Sequence, residues 1–375
     1  MRLPPTPTEL SAAAANAFDR VTRGGVADLR LMPRAVVDEG PQRTVYRYHP
    51  TAKVRDDLPP VLLIPPLAAP ALCFDLRRGC SIIEHELSIG RRVYMLDYGS
   101  IAFSDRDLGL EHWFEEVIPE AIKTVAHDSL APEIDAWGWC LGGIMTMLAV
   151  ADRPELPVRS IALVASPFDF TQVPLIAPLR PLANAGGGAG AMAIFKILGG
   201  APAPLVKRAY QLAGFDKYVT KPVAIIQNLD DREFLAQIEA VDRFMDSMLA
   251  YPGRTFGQLY HRFFRTNDLA SGFLDVNGRR ISLSDVRQPV LSIAGSGDGI
   301  APAGSVHHIG DLLPSAASVT IDTAPGGHLG VLTGRSARTT TWAKVDKFFE
   351  DPLAAAKAKQ APKGRSKKKA ARKAA

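Results

Sequence analysis

The stretch AWGWCLGG, residues 136–143, decides how the rest of the chain is read. The segment before it, EIDAWGW (133–139), is apolar enough for a buried strand, and LGGIMTMLAVA (141–151) after it has helical composition. Cys140 therefore sits on a turn from strand to helix, with Gly138 and Gly142 on either side and Gly143 beyond. A turn of the form G-x-nucleophile-x-G lifts its central side chain to the top of a sheet. The turn is strained, so small residues at 138 and 142 are needed for strand and helix to approach. A serine usually holds the central position; here it is a thiol.

Outward from this turn, short apolar runs recur: VLLIPP (61–66), VYMLDYG (93–99), VRSIALVASPFDF (158–170), QPVLSIAGSGD (288–298) and SVTIDTAPGGH (318–328). They alternate with helical patterns, which predicts an α/β fold with a mostly parallel sheet and helices on both faces. TVYRYHP (44–50) alternates and reads as an edge strand, and TTTWAKVDKFFED (339–351) as a closing amphipathic helix. Residues 1–35 read as a loose lead-in. From about Thr171 the alternation stops, and residues 201–275 look mostly helical. The division expected is a core of 36–170 and 286–351, a helical cap inserted at 171–285 with a mobile AGGGAGA (185–191), and a disordered tail at 352–375.

Apolar residues make up 47% of the 375 and charged residues 22%, enough for a sizeable core. Three cysteines make no disulfide framework and lack metal-type spacing with histidines, which fits a reducing cytoplasm. Cys73 and Cys80 read as small buried hydrophobes. The N-terminus has no signal-peptide pattern, and no run is long and apolar enough to span a membrane. The formal charge of +5 hides a division: residues 352–375 hold nine Lys/Arg and no acid. Such a run implies disorder and, beyond solubility, weak sequence-blind contact with nucleic acid or an anionic surface.

Asp298 ends the next-to-last strand in GSGDGIAP, and His328 follows the last in PGGHLG. Nucleophile, acid and histidine in this order resemble the α/β-hydrolase arrangement. All three would meet at the carboxyl ends of the strands. The helix N-terminus and an imidazole favour negative charge on the Cys140 sulfur. His328 would take the thiol proton, and Asp298 would fix the imidazole tautomer. The oxyanion hole would use the backbone N–H of Leu141 and one from the loop after VLLIPP, at Leu67 or Ala68. His307 and His308 lack strand-end context and read as surface or cap-facing.

A thiol in this place exchanges one thioester for another, so the acyl group stays activated. It can then pass downhill to an alcohol. The chemistry favours acyl transfer from a thioester to a hydroxyl, with hydrolysis of a thioester or polyester as the alternative. A non-catalytic binding protein on the same scaffold would leave Cys140 unreactive.

These residues resemble the polyhydroxyalkanoate synthases. The family's G-x-C-x-G-G elbow is matched by Gly138 to Gly143, its acid segment in part by DGIAP from Asp298, and its histidine segment by GGHLG around His328. PVLLIPPL, VYMLDYG and SPFDF extend the likeness over roughly residues 55–350. The resemblance implies polymerisation of (R)-3-hydroxyacyl-coenzyme A with release of coenzyme A, a Cys-bound acyl chain and a helical cap. It implies no cofactor and no metal. The short lead-in is similar to the smaller synthases that work with a second subunit, and a homodimer is the other assembly implied. The location implied is cytoplasmic, at polyester granules.

Overall fold

The computed structural model describes residues 6–174, 199–213 and 215–354. Its central sheet has eight strands: β1 Arg34–Gly40, β2 Arg43–Tyr48, β3 Val61–Ile64, β4 Val93–Asp97, β5 Ile134–Trp139, β6 Val158–Val164, β7 Val290–Gly295 and β8 Val319–Ala324. Their spatial order is β1-β2-β4-β3-β5-β6-β7-β8. Pairing is parallel from β4 through β8, while β2 runs antiparallel to both β1 and β4. This is the α/β-hydrolase fold.

Every residue of β3, β5 and β7 is buried, as strands covered on both faces require. Helix α1, Pro7–Thr22, meets the inserted segment, and the helices that cover the sheet include α2 Ile82–Ser88, α3 Ile118–Ser129 and α4 Leu141–Asp152. Helix α4 is buried from Leu141 to Ala151, so it is apolar around its whole circumference. Among the described residues, the helices between β6 and β7 include α5 Ala203–Ala213, α6 Phe215–Gln227 and α7 Arg232–Asp246. Helix α8, Thr341–Glu350, closes the fold with Trp342, Val345 and Phe349 buried.

The structure departs from three sequence expectations. TVYRYHP is not at the sheet edge: β1 lies outside it, and β2 pairs on both sides. Residues 6–35, expected as part of a loose lead-in, are anchored. Thr6 and Glu9 cap α1 reciprocally, Asn16 Nδ2 donates to the Leu229 carbonyl at 2.8 Å, and Arg232 reaches Asp19 at 2.6 Å. The 201–275 stretch also opens a hairpin, Phe273–Val276 with Arg279–Ser282. Asn277 and Gly278 turn it, both at positive φ (51° and 75°), which is the turn that matches strand twist. The segment AGGGAGA and residues 355–375 lie outside the described residues. Among the described residues no helix is long and apolar enough to cross a membrane.

Candidate active site

Four loops leave the carboxyl ends of β3, β5, β7 and β8, and they carry the expected residues. Cys140 stands between β5 and α4 at φ 52°, ψ −124°. Non-glycine residues rarely adopt positive φ, and the strain is held by packing on both sides. The Cys140 N–H donates to the Val164 carbonyl at 2.9 Å, and its carbonyl accepts from Gly143 at 3.1 Å.

The three glycines are fixed by close approach. A Cβ on Gly138 would stand 2.5 Å from the Gly143 Cα, and one on Gly142 would stand 2.4 Å from the Ile64 carbonyl oxygen. One on Gly143 would stand 2.2 Å from Ser166 Oγ. The Gly142 contact matters most for the site, because it presses the start of α4 against the end of β3.

Leu67 and Ala68 follow in that β3 loop. Both are buried, and Ala68 is held at φ 61°. Tyr98 donates to the Pro65 carbonyl at 3.1 Å, and the Ala68 carbonyl accepts from Leu249 at 2.9 Å, so the loop is fastened from two sides. Among the described residues, no backbone carbonyl takes the N–H of Leu67, Ala68 or Leu141.

His328 Nδ1 lies 2.8 Å from Asp298 Oδ2. The other Asp298 oxygen accepts the N–H groups of Ile300 at 2.8 Å and Ala301 at 2.9 Å. His328 Nε2 is buried with no hydrogen bond within normal limits among the described residues, and the Cys140 sulfur is its neighbour. Burial disfavours the His328 imidazolium, but the Cys140 sulfur and then Asp298 outweigh it, and its pKa is raised to about 10. The arrangement sets a basic imidazole beside the Cys140 sulfur.

Cys73 and Cys80 are buried, burial pushes both thiols up, and Cys80 Sγ is 2.8 Å from the Thr333 carbonyl. His307 and His308 contact the carbonyls of Asp322 and Ala270 at 3.0 and 2.9 Å, apart from the triad. Among the described residues, the one cluster of three possible metal ligands is His85, Glu86 and Asp346, on α2 and α8.

No family model matches the chain. Its sequence is 23% identical over 346 residues to the poly(3-hydroxyalkanoate) polymerase subunit of Haloferax mediterranei, covering 92% of this chain and 69% of that one. It is 26% identical over 314 residues to the corresponding subunit of Synechocystis sp., covering 80% and 79%. The chain is a relative of the poly(3-hydroxyalkanoate) polymerase subunits. Among solved structures, a proline iminopeptidase of Mycobacterium smegmatis superposes with a TM-score of 0.49 at 17% identity, covering 86% of this chain and all of that one (100%).

The site also contains residues that no motif in the sequence announces. A cavity of about 640 Å³ adjoins His328, and its lining includes Trp139, Tyr210, Phe244, Met245 and Met248. Tyr210 and Tyr251 are hydrogen-bonded to each other near the Cys140 sulfur. Burial pushes both phenols up, and the sulfur's charge adds to the push, so both remain hydroxyl donors. Neither tyrosine stands in a strand-end motif. Only the inserted segment's fold over the sheet brings them in.

Proposed function

We propose that this chain is an acyltransferase that joins (R)-3-hydroxyacyl groups from coenzyme A thioesters into polyester. The observation that carries the reading is the thiol of Cys140 on the elbow, beside a buried His328–Asp298 pair. The relatives' names, poly(3-hydroxyalkanoate) polymerase subunits, support the polyester product.

The Cys140 sulfur gives its proton to His328 Nε2 and attacks the thioester carbonyl. The C–S bond to coenzyme A breaks, and the departing thiolate takes the proton from His328. The carbonyl oxygen, negative in the tetrahedral state, would be met by the N–H of Leu141 and of Leu67 or Ala68. A hydroxyl of a second hydroxyacyl unit then loses its proton to His328 and attacks the acyl–sulfur carbon. An ester bond forms, and Cys140 regains its proton. Asp298 holds the imidazole by Nδ1, so that Nε2 faces the sulfur throughout.

The alternative is a cysteine acyl hydrolase, in which water replaces the hydroxyl. The two readings differ in product. With (R)-3-hydroxybutyryl-coenzyme A, the proposal expects coenzyme A release matched by product of rising mass, and no release from Cys140→Ala. Coenzyme A released together with free hydroxy acid alone, at equal yield, makes the chain a thioesterase.

A further inference from the structure

Trp139 stands between the elbow's first glycine and Cys140. Its indole Nε1 donates to the main-chain carbonyl of His328 at 3.2 Å. Its ring lies 5.2 Å from the His328 ring, tilted by 37°. On the far side the same indole meets Phe244 of α7, centroid to centroid at 6.1 Å. Trp139 is 3% exposed and forms part of the cavity wall next to His328.

The loop that carries His328 is otherwise a chain of tight glycine turns. Gly326 sits at φ 130°, and its carbonyl accepts from Gly297 at 2.9 Å, while the Gly327 carbonyl accepts from Val331 at 2.7 Å. Among the described residues no backbone N–H takes the His328 carbonyl. That carbonyl, next to the working imidazole, is held by a side chain on the nucleophile's own strand. One residue therefore ties the histidine loop, the elbow and a helix of the inserted segment together.

We infer that Trp139 is the positioning residue of His328. It fixes the loop through its N–H, keeps water from one face of the imidazole through its ring, and transmits the placement of α7 through Phe244. This inference rests on the triad reading above. It goes beyond that reading in naming what sets the geometry of the base.

The consequence is measurable without any acyl substrate. Alkylation of Cys140 by iodoacetamide follows the fraction of thiolate, which the imidazolium stabilises. Trp139→Ala admits water, screens the thiolate–imidazolium pair and moves the alkylation midpoint upward by about half a pH unit or more. It also lowers kcat roughly tenfold or more with a smaller change in KM, as for a displaced base. Trp139→Phe keeps the ring and loses the N–H, so it falls between parent and Ala. If Trp139→Ala is folded by circular dichroism and keeps the parent's alkylation profile and kcat, the inference is overturned. If that variant does not fold, Trp139→Phe decides: a parental profile and kcat overturn the inference, and an upward shift supports it. His328→Gln, measured alongside, separates the two levels. An unchanged profile there sinks the triad itself. A changed profile there with parental Trp139 variants sinks only the role of Trp139.

Discussion

Asp298 Oδ2 stands 2.8 Å from His328 Nδ1, and the carboxylate cannot swing away, because its Oδ1 is held by the N–H groups of Ile300 and Ala301. The pair arises from two loops at the ends of β7 and β8, strands that run side by side in parallel register. Of the two ring nitrogens, such a carboxylate accepts from Nδ1, which in the proposed mechanism leaves Nε2 to transfer the proton.

Replacing Asp298 by Asn keeps the shape and removes that control, since the amide can present its NH₂ to Nδ1 and reverse the tautomer. Coenzyme A release should fall by about 10²–10⁴-fold, and Cys140→Ala should fall to background. His328→Gln should fall by several orders of magnitude, on the order of the nucleophile's loss. The check is a parallel rate measurement on the three variants, with melting curves to confirm folding. Parental activity in Asp298→Asn would mean that the 2.8 Å contact is structural only.

A second prediction concerns the buried charges under the sheet. Glu86 is fully buried on α2, with Arg91 Nε at 2.8 Å from Oε2, while Asp346 on α8 faces it and contacts His85 at 2.8 Å. Arg91 is itself shared with Asp135, which Arg159 also holds. Glu86 Oε1 and Asp346 Oδ1 are buried with no hydrogen bond among the described residues. Burial pushes the Glu86 carboxyl up; Arg91 opposes this, Asp346 adds to it, and the net pKa is about 7 against 4.5. The sign follows from linkage. A carboxyl raised in the fold stabilises it fully below the unfolded pKa, and that stability is lost as pH rises through the folded value. His85 is also raised in the fold, by Asp346 against the opposing effect of burial, so its contribution falls in the same direction. Glu86→Gln mimics the protonated form. It should be more stable than the parent at pH 8, by about 1–3 kcal/mol, and close to the parent at pH 5. Denaturant unfolding at the two pH values measures this. A parent more stable than Glu86→Gln at pH 8 would make Glu86 a plain ion-pair partner of Arg91.

The sheet, and the strand ends that carry Cys140, Asp298 and His328, were legible because β3, β5 and β7 are buried along their whole length and mostly apolar, and β5 and β7 end in glycine-bearing turns. What the sequence hid has local reasons. β1, RAVVDEG, is half-exposed along its length and has no continuous apolar run, so its neighbour β2 was read as the edge. The hairpin at 273–282 did carry a signal, Asn277-Gly278 between alternating residues, but the aromatic run before it, Tyr260, Phe263 and Phe264, masked it. Thr6 and Glu9 spell a capping box that announces α1. Trp139 and the Tyr210–Tyr251 pair were beyond reach, because their roles depend on contacts made across the fold.

The last prediction concerns the chain beyond Asp351. Residues 352–375 carry nine Lys/Arg, no acid and no aromatic. Without an aromatic there is nothing to stack on bases, so nucleic-acid binding through this segment is electrostatic and sequence-blind. Neutralising phosphates releases counterions, and such binding weakens steeply with salt. A polyester granule or membrane bearing anionic groups offers the same kind of surface. A truncation ending at Asp351 removes the charges and leaves Cys140, Asp298 and His328 untouched, so coenzyme A release from soluble substrate should stay at the parent's rate. At ~50 mM salt, where phosphate contacts are strong, the parent should be retained on DNA and the truncation should pass through. Raising the salt should release the parent. Equal, weak retention of both forms at low salt would reduce the segment to a solvated end.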